Sequence, residues 1–429
     1  MRTKRLLTMW AVGAATAVMV AGCGSSSSSG SSASSGSSGA AASAAASSSV
    51  PTGSTSTGSS PSTGTVPPGP KIPMASSLGA GEGALNIIVW AGYAEDGTDD
   101  KTVDWVHPFE AATGCKVNVK VGNSSDEMVT LMKTGQYDGV SASGDATLRL
   151  IYGGTVAPVN TSLVPNYTSV APFLKDRPWN SINGQMYGIP HGWGANVLMW
   201  NPKIVTTAPT SWGAVFDANS PYKGKITAYD SPIYIADAAL YLMRTQPDLK
   251  ITNPYELSQP QFDAAVALLK AQHSAIGTYW GAAADEISSF ESGATAVGTA
   301  WQYQANTINL DKKVTVQTTV PTEGATGWSD TWMIASKAKH PNCMYQWMNW
   351  IVSPKVNAEV AQWFGEAPAQ TKSCALAEKG FCDTYHALDA DYASKIFYWT
   401  TPTKSCGDSR GATCVPYTEW TPAWTAIKG

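Results

Sequence analysis

Between Gly24 and Pro70 the chain carries no charged residue and only two large apolar ones, Val50 and Val66, in a run made almost wholly of Ser, Gly, Ala, Thr and Pro. Such a segment cannot bury enough apolar surface to offset the entropy of ordering it, so it is expected to be a disordered tether. As a flexible coil of about 50 residues it would have an r.m.s. reach of roughly 40 Å. The fold is thereby confined to the remainder, about 350 residues from Leu85 onward. That length suits two lobes with separate cores better than one large lobe.

What precedes the tether reads as an export signal. Arg2, Lys4 and Arg5 lead an uncharged, mostly apolar run from Leu6 to Val20, followed by Ala21 and Gly22. The run is shorter than the roughly 18 residues a membrane span needs, so it is expected to be removed. Val20-Ala-Gly-Cys23 resembles the lipobox of bacterial lipoproteins, in which the Cys thiol is lipidated and becomes the first mature residue. Two or three acyl chains on Cys23 would anchor the protein firmly.

Removing the three basic residues of the signal takes the formal charge from −4 to −7. The mature chain is mildly acidic, carries no basic patch and gives no reason to expect a nucleic-acid partner. Charged residues make up 14% of the sequence and there are 17 Trp, a low-charge, aromatic-rich composition. Setting Cys23 aside leaves Cys115, Cys343, Cys374, Cys382, Cys406 and Cys414. An even count in an exported chain fits disulfides. Local spacing favours Cys374 with Cys382 and Cys406 with Cys414, leaving Cys115 with Cys343. No Cys-x-x-Cys or paired His accompanies them, so neither a metal nor another cofactor is expected.

Strands alternate with helices along the folded part, which argues for an α/β architecture. Strands are expected over Asn86–Trp90, Lys116–Val121, Tyr137–Ser141 and Ala296–Ala300. Helices are expected over Asp104–Thr113, stopped by Gly114, and over Asp126–Thr134 with Ser125 as cap. Further helices are expected over Gln261–Ala275, Met344–Ile351 and Val356–Phe364.

Several short segments, in this order, carry a resemblance to a known family: Ile88-Val-Trp-Ala-Gly-Tyr93, Tyr137-Asp-Gly-Val-Ser-Ala-Ser143 and Gly188-Ile-Pro-His-Gly-Trp-Gly194; then Thr210-Ser-Trp212, Tyr222-Lys-Gly-Lys225, Phe290-Glu-Ser-Gly293, Gly298-Thr-Ala-Trp301 and Gly327-Trp-Ser-Asp330. Over residues 85–400 the chain resembles the spermidine/putrescine-binding proteins of bacterial ABC transporters. The resemblance implies a two-lobe, periplasmic-binding-protein-like fold of type II, with a hinge and an interlobe cleft. The expected organisation is a signal peptide (1–22), a lipidated Cys and tether (23–84), lobe 1 (85–192), lobe 2 (193–328) and a return to lobe 1 (329–372). A disulfide-containing C-terminal segment (373–429) would lie on lobe 2.

Carried over position by position, the resemblance implies Trp90, Tyr93, Ser143, Asp230, Trp301, Trp328 and Asp330 as the solute-binding set. Aromatic faces attract a cation and cover its methylenes, while carboxylates hold ammonium ends by charge-assisted hydrogen bonds. Two departures bear on the solute. Ile233 stands where the family commonly has an acid, and Asp145 where it often has an aromatic; Asp145 is equally a helix N-cap. A shorter diamine or another cation is therefore as well supported as spermidine.

The expected function is capture of a polyamine-like cation and delivery to an ABC permease. The protein would work as a monomer at the outer face of the membrane or in the periplasm, held by its lipid alone. A binding protein for a sugar or other small organic solute is the rival, since sugars also stack on Trp. No Gly-x-Ser-x-Gly elbow or His-Glu-x-x-His motif is present, and an enzyme is not expected.

Overall fold

The computed structural model describes residues 68–406 and 413–429. The expected export signal, Cys23 and the tether as far as residue 67 lie outside the described residues. Residues 68–83, which composition assigns to the tether, run without regular structure against the folded body. There the Gly79 N–H donates to Asn342 Oδ1 at 2.7 Å and the Ala75 carbonyl accepts from Asn160 Nδ2 at 3.1 Å. Met74, Ala75 and Leu78 give this stretch apolar side chains that the preceding Ser/Gly run lacks.

Thirteen strands follow among the described residues. They are β1 (Ala84–Val89), β2 (Lys116–Val121), β3 (Gly139–Ala142), β4 (Ser181–Ile182), β5 (Gln185–Met186), β6 (Ile189–Trp200), β7 (Ile226–Tyr229), β8 (Ile276–Trp280), β9 (Val297–Trp301), β10 (Gln317–Thr319), β11 (Ala325–Ile334), β12 (Ala367–Pro368) and β13 (Ile396–Tyr398). Eight of them line up as β2-β1-β3-β11-β6-β9-β7-β8.

The pairing directions explain the architecture. β1 is parallel to β2 and β3, and β7 is parallel to β8 and β9. Parallel neighbours need crossover connections, and helices supply them: Val106–Thr113 and Ser125–Lys133 in the first group, Ile235–Thr245, Gln259–His273 and Ala283–Glu291 in the second. β1 is apolar on both faces, with Leu85, Ile87, Ile88 and Val89 all buried, as a central parallel strand should be. β2 is the edge strand, and Val119 and Val121 on it are exposed.

Antiparallel β11 and β6 join the two groups. β11 pairs with β3 through Thr331–Ile334 and with β6 through Gly327–Trp332. β6 then pairs with β9 through Asn196–Trp200. The lobe boundaries expected at 192/193 and 328/329 would both fall inside these two long strands.

Most elements lie within one or two residues of expectation. The helix expected to be capped by Ser125 instead starts there, because Ser124 is the extended residue and its side chain accepts from the Glu127 N–H at 3.1 Å. Gly114 ends the preceding helix in the left-handed region, at φ 73°.

Cys115 is joined to Cys343, Cys374 to Cys382 and Cys406 to Cys414. The first bridge ties the start of β2 to the helix Pro341–Ile351 across 228 residues. A loop of that length corresponds to about 5 kcal/mol of chain entropy, against roughly 2–3 for each local bridge.

The C-terminal segment touches both groups of strands. Its helix, Tyr417–Lys428, packs on Gln259–His273, while the Thr401 hydroxyl donates to the Asp145 carbonyl at 2.8 Å and accepts from the Leu148 N–H at 3.2 Å.

Candidate functional site

In open α/β sheets, solutes meet the protein beyond the carboxyl ends of parallel strands. Trp90 follows β1, Ser143 follows β3, Asp230 follows β7 and Trp301 ends β9. Trp328 and Asp330 lie two residues apart in β11 and so share one face. Tyr93 closes a turn after β1, its N–H donating to the Trp90 carbonyl at 3.2 Å.

Tyr93, Ser143 and Asp330 meet. The Ser143 hydroxyl donates to Asp330 Oδ1 at 2.6 Å, and Tyr93 Oη lies 2.7 Å from Asp330 Oδ2. The same Oη lies 2.8 Å from Oε2 of Glu366, a carboxyl the sequence reading did not single out. All four side chains are buried.

Burial pushes the Asp330 carboxyl up to about 6, and Asp145 adds to the rise while the bonds from Ser143 and Tyr93 oppose it. Burial and the neighbouring Asp330 together hold Glu366 well above the ordinary carboxylate range. His191 stands beside Tyr93, with ring centroids 4.3 Å apart, and burial lowers it to about 3, so it is neutral.

Aromatic rings extend from this array. Phe364 lies 4.2 Å from the Tyr93 ring and 6.2 Å from Trp328, and Trp328 lies 6.3 Å edge-on to Trp301. Trp301 packs on Trp280 and Tyr229, and Tyr229 stacks on Trp399 at 5.8 Å. Trp301 is held by its Nε1–H, which donates to Asn196 on β6 at 3.0 Å. Asn196 in turn donates to Thr326 on β11, and Thr326 to the buried Asp237. Trp90 packs against both buried clusters but stacks on none of these rings.

The model of the bacterial extracellular solute-binding protein family matches residues 104–385. The chain belongs to that family. Members are solute-capturing partners of ABC transporters that work outside the cytoplasm. A putrescine-binding periplasmic protein of Pseudomonas aeruginosa is 27% identical over 292 residues, which cover 64% of this chain and 75% of that protein. The spermidine/putrescine-binding periplasmic protein of Escherichia coli is 23% identical over 295 residues, 66% of this chain and 81% of its own length. The fold is shared with the substrate-binding protein of a Streptococcus pneumoniae spermidine/putrescine ABC transporter. Its solved structure superposes with a TM-score of 0.63 at 16% identity, covering 80% of this chain and 97% of that one. Among the described residues no helix is long and apolar enough to cross a membrane.

Asp230 does not join the array around Asp330. Lys428 Nζ sits 2.6 and 2.8 Å from its two oxygens, and Trp424 Nε1–H donates to it at 3.0 Å. Ile233 is a core residue beside it. Asp145 lies in the first turn of the helix Gly144–Tyr152, where it makes no side-chain cap and accepts from Ser125 Oγ at 2.9 Å. Its carboxyl is pushed up to about 6, chiefly by burial.

Glu366 had no sequence signal beyond its neighbours. Gly365, at φ 85°, stops the helix Pro354–Phe364, and Pro368 follows, which marks a turn and not a site. Its place in the structure is specific all the same, because a Cβ on Gly192 of β6 would fall 2.0 Å from the Glu366 carboxyl.

Proposed function

We propose that this protein is a lipid-anchored receptor for a small organic cation of the putrescine class, which it hands to an ABC permease. One observation carries the reading: among the described residues no Lys or Arg faces the buried Asp330, whose surroundings are Tyr93, Ser143, Glu366 and Asp145. An ionised carboxylate in such a place is costly unless a cation reaches it. Tyr93, Trp301 and Trp328 supply ring faces for the attached methylenes, each worth roughly 0.5–2 kcal/mol where it meets a cation. The polyamine-binding relatives support the same class of solute.

The carboxyl groups able to meet an ammonium are concentrated at one end of this site. Asp330 and Glu366 lie on either side of one hydroxyl, whereas Asp230 is already paired with Lys428. A short diamine suits that arrangement better than spermidine, whose distal ammonium would lack a partner at a cost of about 2–5 kcal/mol if desolvated.

Because the array is buried, the solute enters only when the two groups of strands part, with β6 and β11 as the hinge. Closure is favoured because only the closed form makes contacts from both lobes. The lobes assigned to 85–192 with 329–372, and to 193–328, are the bodies that would move.

Isothermal titration of the solute-stripped protein with putrescine, spermidine, spermine and a sugar panel tests the reading. Saturable heat from a diamine supports it, while heat from a sugar alone replaces it with sugar capture. Anchoring is tested separately, since Cys23→Ser should move the protein from the membrane fraction to the medium.

A further inference from the structure

The contacts of Tyr93 do not balance in protons. A phenol has one hydrogen, yet Tyr93 Oη makes two short contacts with carboxyl oxygens, 2.7 Å to Asp330 Oδ2 and 2.8 Å to Glu366 Oε2. Tyr93 can donate to only one of them. The other contact is repulsive between two lone pairs unless that carboxyl carries a hydrogen and donates it to Tyr93. The array therefore holds one hydrogen more than two carboxylates and a phenol possess.

A second observation points into the same place. His191 Nδ1 is wholly buried, has no hydrogen-bond partner and lies 3.6 Å from Glu366 Oε1, which is equally unpartnered. The other ring nitrogen, Nε2, contacts Ser141 Oγ at 3.2 Å. The site thus contains polar atoms that its own residues leave unsatisfied, although buried polar groups ordinarily find partners.

The titratable groups facing the pair are few. Asp145 and Tyr229 lie toward Asp330, His191 and Tyr385 toward Glu366, and Tyr93 lies between them. None of them supplies a standing positive charge.

We propose that Asp330 and Glu366 share one proton through Tyr93 in the solute-free protein, and that an ammonium-bearing solute displaces it, so that capture exchanges one proton for one cation. In the solute-free state the protonated carboxyl of Glu366 donates to Tyr93, and Tyr93 donates to Asp330. Glu366 is the member that keeps the hydrogen because Asp330 also accepts from Ser143, which favours its ionised form. When the ammonium arrives, Glu366 ionises, its O–H bond breaks and the proton passes to solvent. Both carboxylates then face the cation, and Tyr93 keeps its own hydrogen. Glu366 is on this account a specificity residue: a neutral sugar would not displace the proton.

The inference rests on the amine reading above, and two measurements keep the two apart. The first is titration of the stripped, full-length protein with putrescine at mildly alkaline pH, in buffers of different ionisation enthalpy. Close to one proton should be released per putrescine bound, and Glu366→Gln should bring that release close to zero. Affinity should fall about tenfold per pH unit on acidification below the range where the proton is lost. Binding whose heat does not depend on the buffer overturns the exchange while leaving amine capture intact.

The second needs no solute. The carbonyl stretch of a protonated carboxyl should appear in the wild type minus Glu366→Gln infrared difference of the solute-free protein at neutral pH, where the bands of Asp237, Glu95 and Glu286, which burial also raises, cancel. If putrescine fails to bind but this band is found, the shared proton stands and the amine reading falls. If the wild type minus Glu366→Gln difference shows no such band, the shared proton is overturned.

Discussion

Asp230 follows β7 and Asp330 lies inside β11, and the family resemblance assigns both to the same task, yet their surroundings differ in one decisive respect. Asp230 is answered from within the chain by the ammonium of Lys428, by Trp424 Nε1–H and by water, since its side chain is 31% exposed. Asp330 is 3% exposed and is held by two hydroxyls and, among the described residues, by no cation. A carboxylate that already has its counter-ion gains little from a second. One that has been desolvated without a counter-ion gains the most from any cation that reaches it. The same side chain is thus a structural group at one strand end and a recognition group at the crossing.

The largest effect separating the two is on affinity. Asp330→Asn should weaken putrescine binding by about 2–5 kcal/mol, roughly 30-fold to several thousand-fold, while Asp230→Asn should change it less than about threefold. Calorimetric Kd values for the two variants decide this, and comparable losses in both would abolish the distinction.

The next largest is on stability against pH. A carboxyl raised to about 6 binds its proton more tightly folded than unfolded. Its stabilisation is therefore complete below about pH 4 and is lost as the pH rises through about 6. The solute-free protein should unfold at higher temperature at pH 5 than at pH 7. Asp145, near 6, and Asp237 and Glu95, near 7, act in the same direction. Asp330→Asn should remove about 1–1.5 kcal/mol of that difference. A pH dependence unaltered by the substitution would mean that Asp330 is ionised at no unusual cost.

Smaller again is the contribution of the rings. Trp301→Ala and Trp328→Ala should each cost about 0.5–2 kcal/mol of amine binding, with far-ultraviolet circular dichroism unchanged. Trp301 also anchors Asn196, so Trp301→Phe, which keeps a ring face but loses that bond, shows how much of the loss is positioning. Full affinity in all three variants would remove the rings from the site.

Much of the fold was legible because it is encoded over short distances. The apolar run of β1, the alternation of β2 and the stop at Gly114 are local signals, and most elements lie close to their expected ranges. The grouping of Tyr93, Ser143 and Asp330 was legible only through ordered resemblance, because nothing local in Trp-Ser-Asp330 says what it will face. Two features had no local trace at all. Glu366 reaches the array because β12 lies along Gly192, which has no Cβ to exclude it. Lys428 reaches Asp230 across 198 residues, because the terminal helix packs on Gln259–His273. Long-range pairs of this kind depend on how elements dock, and the sequence around either partner is silent about the other.

The smallest effect is the most direct attempt to break the contrast. The Lys428–Asp230 pair is about one-third exposed on each side, so its loss should cost only about 0.2–1 kcal/mol of stability. Lys428→Met keeps most of the stem that lies near the Tyr279 and Trp424 rings and removes only the charge. Asp230 would then resemble Asp330 in lacking a cation, next to Tyr229 at the end of the aromatic row. If the pairing is what keeps Asp230 out of recognition, this variant should bind spermidine several-fold more tightly relative to putrescine, the freed carboxylate meeting the distal ammonium. Affinity ratios measured side by side for the two amines decide the point. An unchanged ratio would show that Asp230 is excluded by its position and not by its partner, and the contrast with Asp330 would then be one of place instead of charge.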